Sequence, residues 1–302
     1  MTQSPHSSKY PATRHDWWEA ARPHTWANAI SPVVVGSGAA AFQGGAHFGR
    51  AILALIVAWA LIIGVNYAND YSDGIRGTDE DRTGPTRLTG SGLAAPEHVK
   101  LAAFACFGVA GIAGIILSLW SAWWFILIGA LCIAGAWFYT GGKNPYGYRG
   151  LGEVAVFIFF GLVAVLGTEY TQAGAVSWVG LASAVGIGSI SASVNLANNI
   201  RDIPSDAEAG KITMAVRLGD KAARIVFAVL SMVPFAMSLF MAAAYTPVLV
   251  GFLALPLALH GVLTVLRGAQ GKELIPVLGI NGKAMLAWAV LTAVALFFGG
   301  MR

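Results

Sequence analysis

Eight polar residues in two short runs carry the chemistry legible in this 302-residue sequence. The first run is Asn66-Tyr-Ala-Asn69-Asp70-Tyr-Ser-Asp73. On a helix its Asn66, Asn69, Asp70 and Asp73 fall at i, i+3, i+4 and i+7, along one stripe. The second run holds Asn195, Asn198, Asp202 and Asp206, the last three at i, i+4 and i+8. Pro204 lies between its two acids and would clash with the carbonyl of Ile200 in a regular helix, so a kink or helix end is expected near Ile203. Carboxylates one turn apart repel, and an aspartate near membrane depth costs about 2.5–3.5 kcal/mol on insertion scales. Such pairs persist most readily around a hard cation. Mg²⁺ takes one or two carboxylates and completes its sphere with water and substrate phosphate. Asp70, Asp73, Asp202 and Asp206 are therefore the candidate metal ligands and catalytic residues, with a phosphorylated or diphosphate substrate. The competing reading is a set of solvated loop acids beside many arginines. An asparagine one turn ahead of the acids, twice, weighs against it.

Cations lie close by in sequence. Arg76, Arg82 and Arg87 follow the first run, and Lys211 and Arg217 follow the second. Lys143 and Arg149 fall in Tyr139-Thr-Gly-Gly-Lys143-Asn-Pro-Tyr-Gly-Tyr148-Arg149. Any of these could serve topology alone. Lys143 is more pointed, because a turn rich in Gly and Pro also offers backbone N–H groups to phosphate. Asn66, Asn69, Asn198, Lys143, Arg149 and Lys211 are the diphosphate-binding candidates, and Tyr139 and Tyr148 the candidates for an aromatic substrate.

The elements that must position these residues are membrane helices. The chain is 56% hydrophobic and 11% charged, against about 25% charged in a soluble domain. Its apolar runs are long and continuous, unlike the alternating strands of about ten residues in a transmembrane barrel. Spans are expected at 26–43, 50–70, 99–119, 122–140, 151–171, 176–199, 222–244, 247–267 and 283–300, which makes the fold an all-α polytopic bundle of nine transmembrane helices. Of 19 Lys and Arg, only Arg50 and Arg302 fall on the side opposite the N-terminus in this arrangement. By the positive-inside rule the N-terminus is cytoplasmic and both acid runs open at the cytosolic face. The same geography accounts for the net charge of +4 without nucleic acid. Among the acids only Glu169 falls on the outer side.

Residues 1–24 read as a cytosolic tail ahead of a transmembrane domain at 25–302, with Trp17, Trp18 and Trp26 suited to the interface. Cys106 and Cys132 lie alone in apolar runs with neither disulfide nor metal spacing, and His260 reads as a packed residue of the eighth span. No His-Glu-x-x-His zinc motif occurs, and Gly279-Ile-Asn-Gly282-Lys283 lacks the spacing of a phosphate-binding loop.

These motifs resemble the UbiA superfamily of intramembrane aromatic prenyltransferases over nearly the whole chain. Asn69-Asp70-x-x-Asp73 looks like the family's first aspartate motif. Asp202-x-x-x-Asp206 with Gly210-Lys211-x-Thr213-x-Ala215-Val216-Arg217-Leu218-Gly219 looks like the second. Many members carry a further Asp where this chain has Gly77; Asp79 or Asp81 is the candidate replacement. Within the superfamily, Arg22-Pro23-x-Thr25, the run from Asn66 to Asp79, Tyr139-Thr-Gly-Gly, Gly150-Leu-Gly152-Glu153 and Asn198-Asn-x-Arg-Asp202 resemble the 1,4-dihydroxy-2-naphthoate polyprenyltransferases of menaquinone synthesis. The resemblance implies a multi-pass enzyme of the cell membrane. In it Mg²⁺ on the four aspartates grips polyprenyl diphosphate, and 1,4-dihydroxy-2-naphthoate takes the prenyl group with loss of CO₂. The alternatives are another aromatic acceptor (hydroxybenzoate, homogentisate, a haem or chlorophyll precursor), a CDP-alcohol phosphotransferase, whose acids would form one compact motif, and an ion-coupled transporter, which needs polar residues at the midplane.

Overall fold

The computed structural model describes residues 12–77 and 87–301. In chain order the helices are α1 (Arg14–Ala20), α2 (Ala27–Phe42), α3 (Phe48–Gly74), α4 (Pro96–Trp120), α5 (Phe125–Phe138) and α6 (Gly152–Val156). A π-helical stretch, Phe157–Leu166, continues α6 into α7 (Gly167–Ala173). Then come α8 (Trp178–Arg201), α9 (Ile203–Glu208), α10 (Met214–Leu218), α11 (Asp220–Ala242), α12 (Leu255–Leu266), which a 3-10 stretch from Thr246 precedes, and α13 (Ile275–Gly300). Among the described residues there is no strand.

Among the described residues seven segments are long and apolar enough to cross a membrane: α3, α4, Gly152–Ala173, α8, α11, Thr246–Leu266 and Gly271–Gly300. Helices α2 and α5 are apolar but only 16 and 14 residues long, or about 24 and 21 Å. Each expected span overlaps one of these nine segments, and the differences lie at their ends. Helix α3 runs on to Gly74, so the whole first run is helical. Helix α13 starts at Ile275, not 283. Pro276 sits in its first turn, where a missing N–H costs nothing, and the loop-like Gly279–Gly282 stretch is helical because its polar group is used inside the bundle. The Asn281 Nδ2 donates to Ser193 Oγ at 3.1 Å and Ser231 Oγ at 2.9 Å.

Helix α8 is the hub. Of its apolar window 83% is buried, against 17% for α3. Lipid is as apolar as leucine, so small residues and shared hydrogen bonds hold membrane helices together. At Gly161 an added Cβ would stand 2.5 Å from Gly188 Cα and 2.7 Å from the Ala184 carbonyl oxygen, a backbone-to-backbone approach between the π-helical stretch and α8. Gly161→Ala is expected to cost about 1–3 kcal/mol, read as a lower melting temperature in detergent. An unchanged value would show that the two helices part easily.

The chain's N-terminal region and His260 depart from expectation. From Ala12 onward the supposed tail packs on the bundle: Ala12 N–H donates to the Leu93 carbonyl at 3.0 Å, and the Tyr67 hydroxyl donates to the Trp17 carbonyl at 3.0 Å. Trp17 meets Tyr67 edge-on at 5.6 Å between ring centroids, and Trp26 meets Trp59 at 5.0 Å, so residues 12–24 rest against α3. Residues 1–11 lie outside the described residues. His260 is exposed on α12, since in lipid an apolar neighbourhood does not mean an interior one. At the end of the bundle away from the acid runs, Glu169 is fully buried. It accepts hydrogen bonds from Gln43 Nε2 at 2.7 Å and from Ser177 Oγ at 2.5 Å.

Candidate active site

The stripe on α3 divides its labour. Asn66 donates through Nδ2 to the Ala21 carbonyl at 3.0 Å and to Thr25 Oγ1 at 3.1 Å. Asn69 Oδ1 accepts from the Thr140 hydroxyl at 2.8 Å. The Asp70 carboxylate accepts the backbone N–H groups of Leu88 and Thr89, each at 2.8 Å, and so docks the chain that re-enters before α4. Asp73 accepts from the Tyr148 hydroxyl at 2.5 Å and lies 3.8 Å from the Arg87 guanidinium.

On the other side α8 ends at Arg201, with Asp202 as its C-cap and Pro204 in the first turn of α9. The chain breaks where Pro204 requires it. Arg201 Nε and Nη2 donate to the two Asp202 oxygens at 2.7 and 2.8 Å. Asp206 lies 3.2 Å from Lys211 Nζ.

Tyr148 links the two runs. Its hydroxyl holds Asp73, its carbonyl accepts from Ile212 N–H at 3.1 Å, and its ring lies 5.5 Å from Lys211 Nζ and 5.4 Å from Arg76 Cζ. Arg76 also donates to the carbonyls of Thr140 and Gly142, which fastens the turn carrying Lys143. The series Asp73, Tyr148, Lys211, Asp206 thus brings the two acid runs to one mouth. All four aspartates are 1–6% exposed, so they are not solvated loop acids.

Below the mouth lies a cavity of about 470 Å³. Asn66, Asn69, Asn195, Asn198 and Tyr139 line it at the acid end, and apolar side chains of α3, α4, α5 and the π-helical stretch form its walls. The Tyr139 hydroxyl donates to Asn195 Oδ1 at 3.4 Å. Beneath these, Glu153 is buried and accepts from Asn199 Nδ2 at 2.7 Å. His24 also lines the cavity. Desolvation by its surroundings, followed by the charges of Arg22 and Arg201, lowers its imidazole to about 4, so the ring is neutral at pH 7.

Several expected residues fall elsewhere. Lys143 and Arg149 are exposed at the rim. Arg217 packs over Gly150, whose φ of 74° and lack of a Cβ leave room for it. Asp79, Asp81 and Arg82 lie outside the described residues. Arg87, already among the cations that follow the first run, is the one that meets Asp73; sequence reasoning missed Arg201 as the partner of Asp202, Glu153 as a support for Asn199, and Arg22 and His24 as cavity residues. Only Arg201 could have been found directly, as the neighbour of Asp202.

The fit to Mg²⁺ rests on the donor set. Among the described residues no three His, Cys, Asp or Glu side chains converge on one point, but Mg²⁺ needs only one or two carboxylates when water and phosphate complete its sphere. Two pairs of aspartates with neighbouring asparagines supply hard oxygen donors alone. A carboxylate has about four lone-pair sites, so the bonds to Tyr148, Leu88 and Thr89 leave capacity for a cation.

The profile of the UbiA prenyltransferase family matches residues 29–274. The chain is 57% identical to a 1,4-dihydroxy-2-naphthoate octaprenyltransferase of Mycobacterium tuberculosis over 94% of this chain and 97% of that protein. It is 33% identical to a Haemophilus influenzae protein of the same name over 94% and 96%. In fold it is similar to a UbiA homolog from Aeropyrum pernix K1, with a TM-score of 0.68, 16% identity and coverage of 90% and 96%. It is also similar to a UbiA homolog from Archaeoglobus fulgidus bound to DMAPP and Mg²⁺, with a TM-score of 0.63, 15% identity and coverage of 94% and 99%.

Proposed function

The chain belongs to the UbiA prenyltransferase family, and from that membership we propose that it transfers a polyprenyl group from polyprenyl diphosphate to 1,4-dihydroxy-2-naphthoate. CO₂ is lost, and demethylmenaquinol for menaquinone synthesis is formed. The observation that carries this reading is the convergence of both acid runs around Tyr148 at the mouth of one apolar cavity. It is supported by relatives that bear this activity in their names.

Asp70, Asp73, Asp202 and Asp206 would hold Mg²⁺, which supplies Lewis-acid stabilisation of the departing diphosphate. Lys211, between Asp206 and Tyr148, adds a fixed cation to the same leaving group. Asn69 and Asn198 line the cavity just below, where their amides would meet the diphosphate. Asn66 already commits its amide to Ala21 and Thr25, so it positions that turn. Lys143 and Arg149 attract the donor at the rim. The apolar walls keep water from the allylic cation, and Tyr139 with Asn195 faces the aromatic ring. In the membrane, α2 and α5 complete nine spans, with a cytoplasmic N-terminus and the acid mouth at the cytosolic face of the cell membrane.

The deciding assay offers membranes several aromatic acids with one polyprenyl diphosphate and identifies products by mass. Prenylation of hydroxybenzoate or homogentisate in preference to 1,4-dihydroxy-2-naphthoate would move the enzyme to the alternative acceptor class. Lys211→Gln is expected to raise the donor KM by about tenfold or more, since a partly buried cation beside phosphate is worth more than one at the surface. Lys143→Gln should have a smaller effect, because its side chain is exposed. Equal, negligible effects on donor kinetics would remove both lysines from the anion site.

A further inference from the structure

We propose that Arg22, at the turn preceding α2, seats the carboxylate of the aromatic acceptor. The inference rests on the acceptor reading above and deepens it. Arg22 is the one Lys, Arg, Asp or Glu among the described residues that line the cavity. Beside it on the same turn stand His24 and Thr25, and Asn28 follows in the first turn of α2; all three are cavity residues. A carboxylate entering an apolar cavity loses its hydration and needs a charge partner there. A guanidinium answers a carboxylate with two parallel N–H donors, and the neutral imidazole of His24 can add a third. Arg201 is paired with Asp202 at 2.7 Å, which leaves Arg22 as the cation beside this part of the cavity.

The backbone points the same way. Arg22 has φ 52° and ψ 66°, and it is the one non-glycine residue with positive φ among those described. That conformation is strained for a residue with a Cβ and persists only where the surroundings impose it. They do so here. The Arg22 carbonyl accepts from the Thr25 N–H at 2.9 Å and from the Thr25 hydroxyl at 2.8 Å. Thr25 Oγ1 in turn accepts from Asn66, which also holds the Ala21 carbonyl. The first residue of the α3 stripe thus fixes the strained turn from beneath. An acceptor held by its carboxylate at Arg22 would lie in the part of the cavity that Asn66, Tyr139 and Asn195 share.

The test uses the full-length enzyme in membranes or detergent. Arg22→Gly removes the charge while glycine accepts a φ of 52° without strain, so the fold should survive; the melting temperature checks this. The expected result is a rise of about tenfold or more in the KM for 1,4-dihydroxy-2-naphthoate, with the donor KM within about twofold of wild type. Inhibition by 1-hydroxy-2-naphthoate should weaken in parallel, while inhibition by 1-naphthol, which lacks the carboxylate, stays as it was. Arg22→Lys should fall between, keeping charge but losing the two-pronged contact. A rise confined to the donor KM would assign Arg22 to the diphosphate and overturn the proposal, as would equal weakening of both inhibitors or no change at all. Failure of the underlying acceptor reading would be seen separately, as wild-type enzyme that does not turn over 1,4-dihydroxy-2-naphthoate.

Discussion

Asp73→Asn is expected to lower turnover by at least about 100-fold, or roughly 2.7 kcal/mol of transition-state stabilisation, while the protein stays folded. Asparagine has nearly the same shape and keeps a carbonyl oxygen for the Tyr148 hydroxyl, which now lies 2.5 Å from Asp73 Oδ1. What it lacks is the negative charge that holds a cation at the mouth. Arg87, 3.8 Å away, then faces a neutral group, a modest change at that distance. Turnover and melting temperature should therefore separate. Wild-type turnover in this variant would remove Asp73 from the metal set. Asp202→Asn makes an instructive contrast. Its two oxygens receive both prongs of a buried Arg201, and stripping a buried cation of its partner costs about 3–5 kcal/mol. That variant should lose both turnover and stability, so it is the less clean probe of metal binding. Asp70→Asn is also mixed, because an amide cannot accept from both Leu88 and Thr89 N–H groups with two oxygens.

Excess chelator should reduce turnover by at least about 100-fold, with Mg²⁺ or Mn²⁺ restoring it. The donor's diphosphate and the paired acids repel each other unless a cation lies between them. The fold should tolerate the treatment, because Arg87, Arg201 and Lys211 already balance three of the four aspartates and backbone N–H groups satisfy the other. Thermal stability should then rise on adding Mg²⁺ together with a diphosphate, by about 2.7 kcal/mol when the ligand stands at a hundred times its Kd. It should rise less with either alone. Full turnover in chelator would remove the metal from the reaction, whatever happened to the melting temperature.

Much of the architecture follows from residues near each other in the chain. An apolar run long enough to cross a bilayer is a local property, and so is a stripe at i, i+3, i+4 and i+7. That is why α3, α8 and the acid runs on them are legible in the order of residues alone. Helix ends are less legible. The start of α13 is hidden because Gly279 and Gly282 look like a turn, whereas Asn281 is committed to Ser193 and Ser231 on two other helices. The packing of residues 12–24 is hidden for a related reason: their charges dominate a hydropathy reading, while Trp17 finds its surface on Tyr67, 50 residues away.

By itself the sequence determined that the chain is a multi-pass membrane protein, roughly where its apolar segments fall, and that two aspartate runs lie at the polar end of them. Each depends on composition and spacing within a few turns of helix. Only the tertiary structure decided which cation each acid meets, that Tyr148 stands between the two runs, that Lys211 and not Lys143 lies at their centre, and that Arg22 lines the cavity. Those are meetings of side chains from different helices, such as Asp73 with Tyr148, 75 residues apart. Helical periodicity says which face a residue takes but not what packs against that face; the small residues that let α8 approach its neighbours settle that.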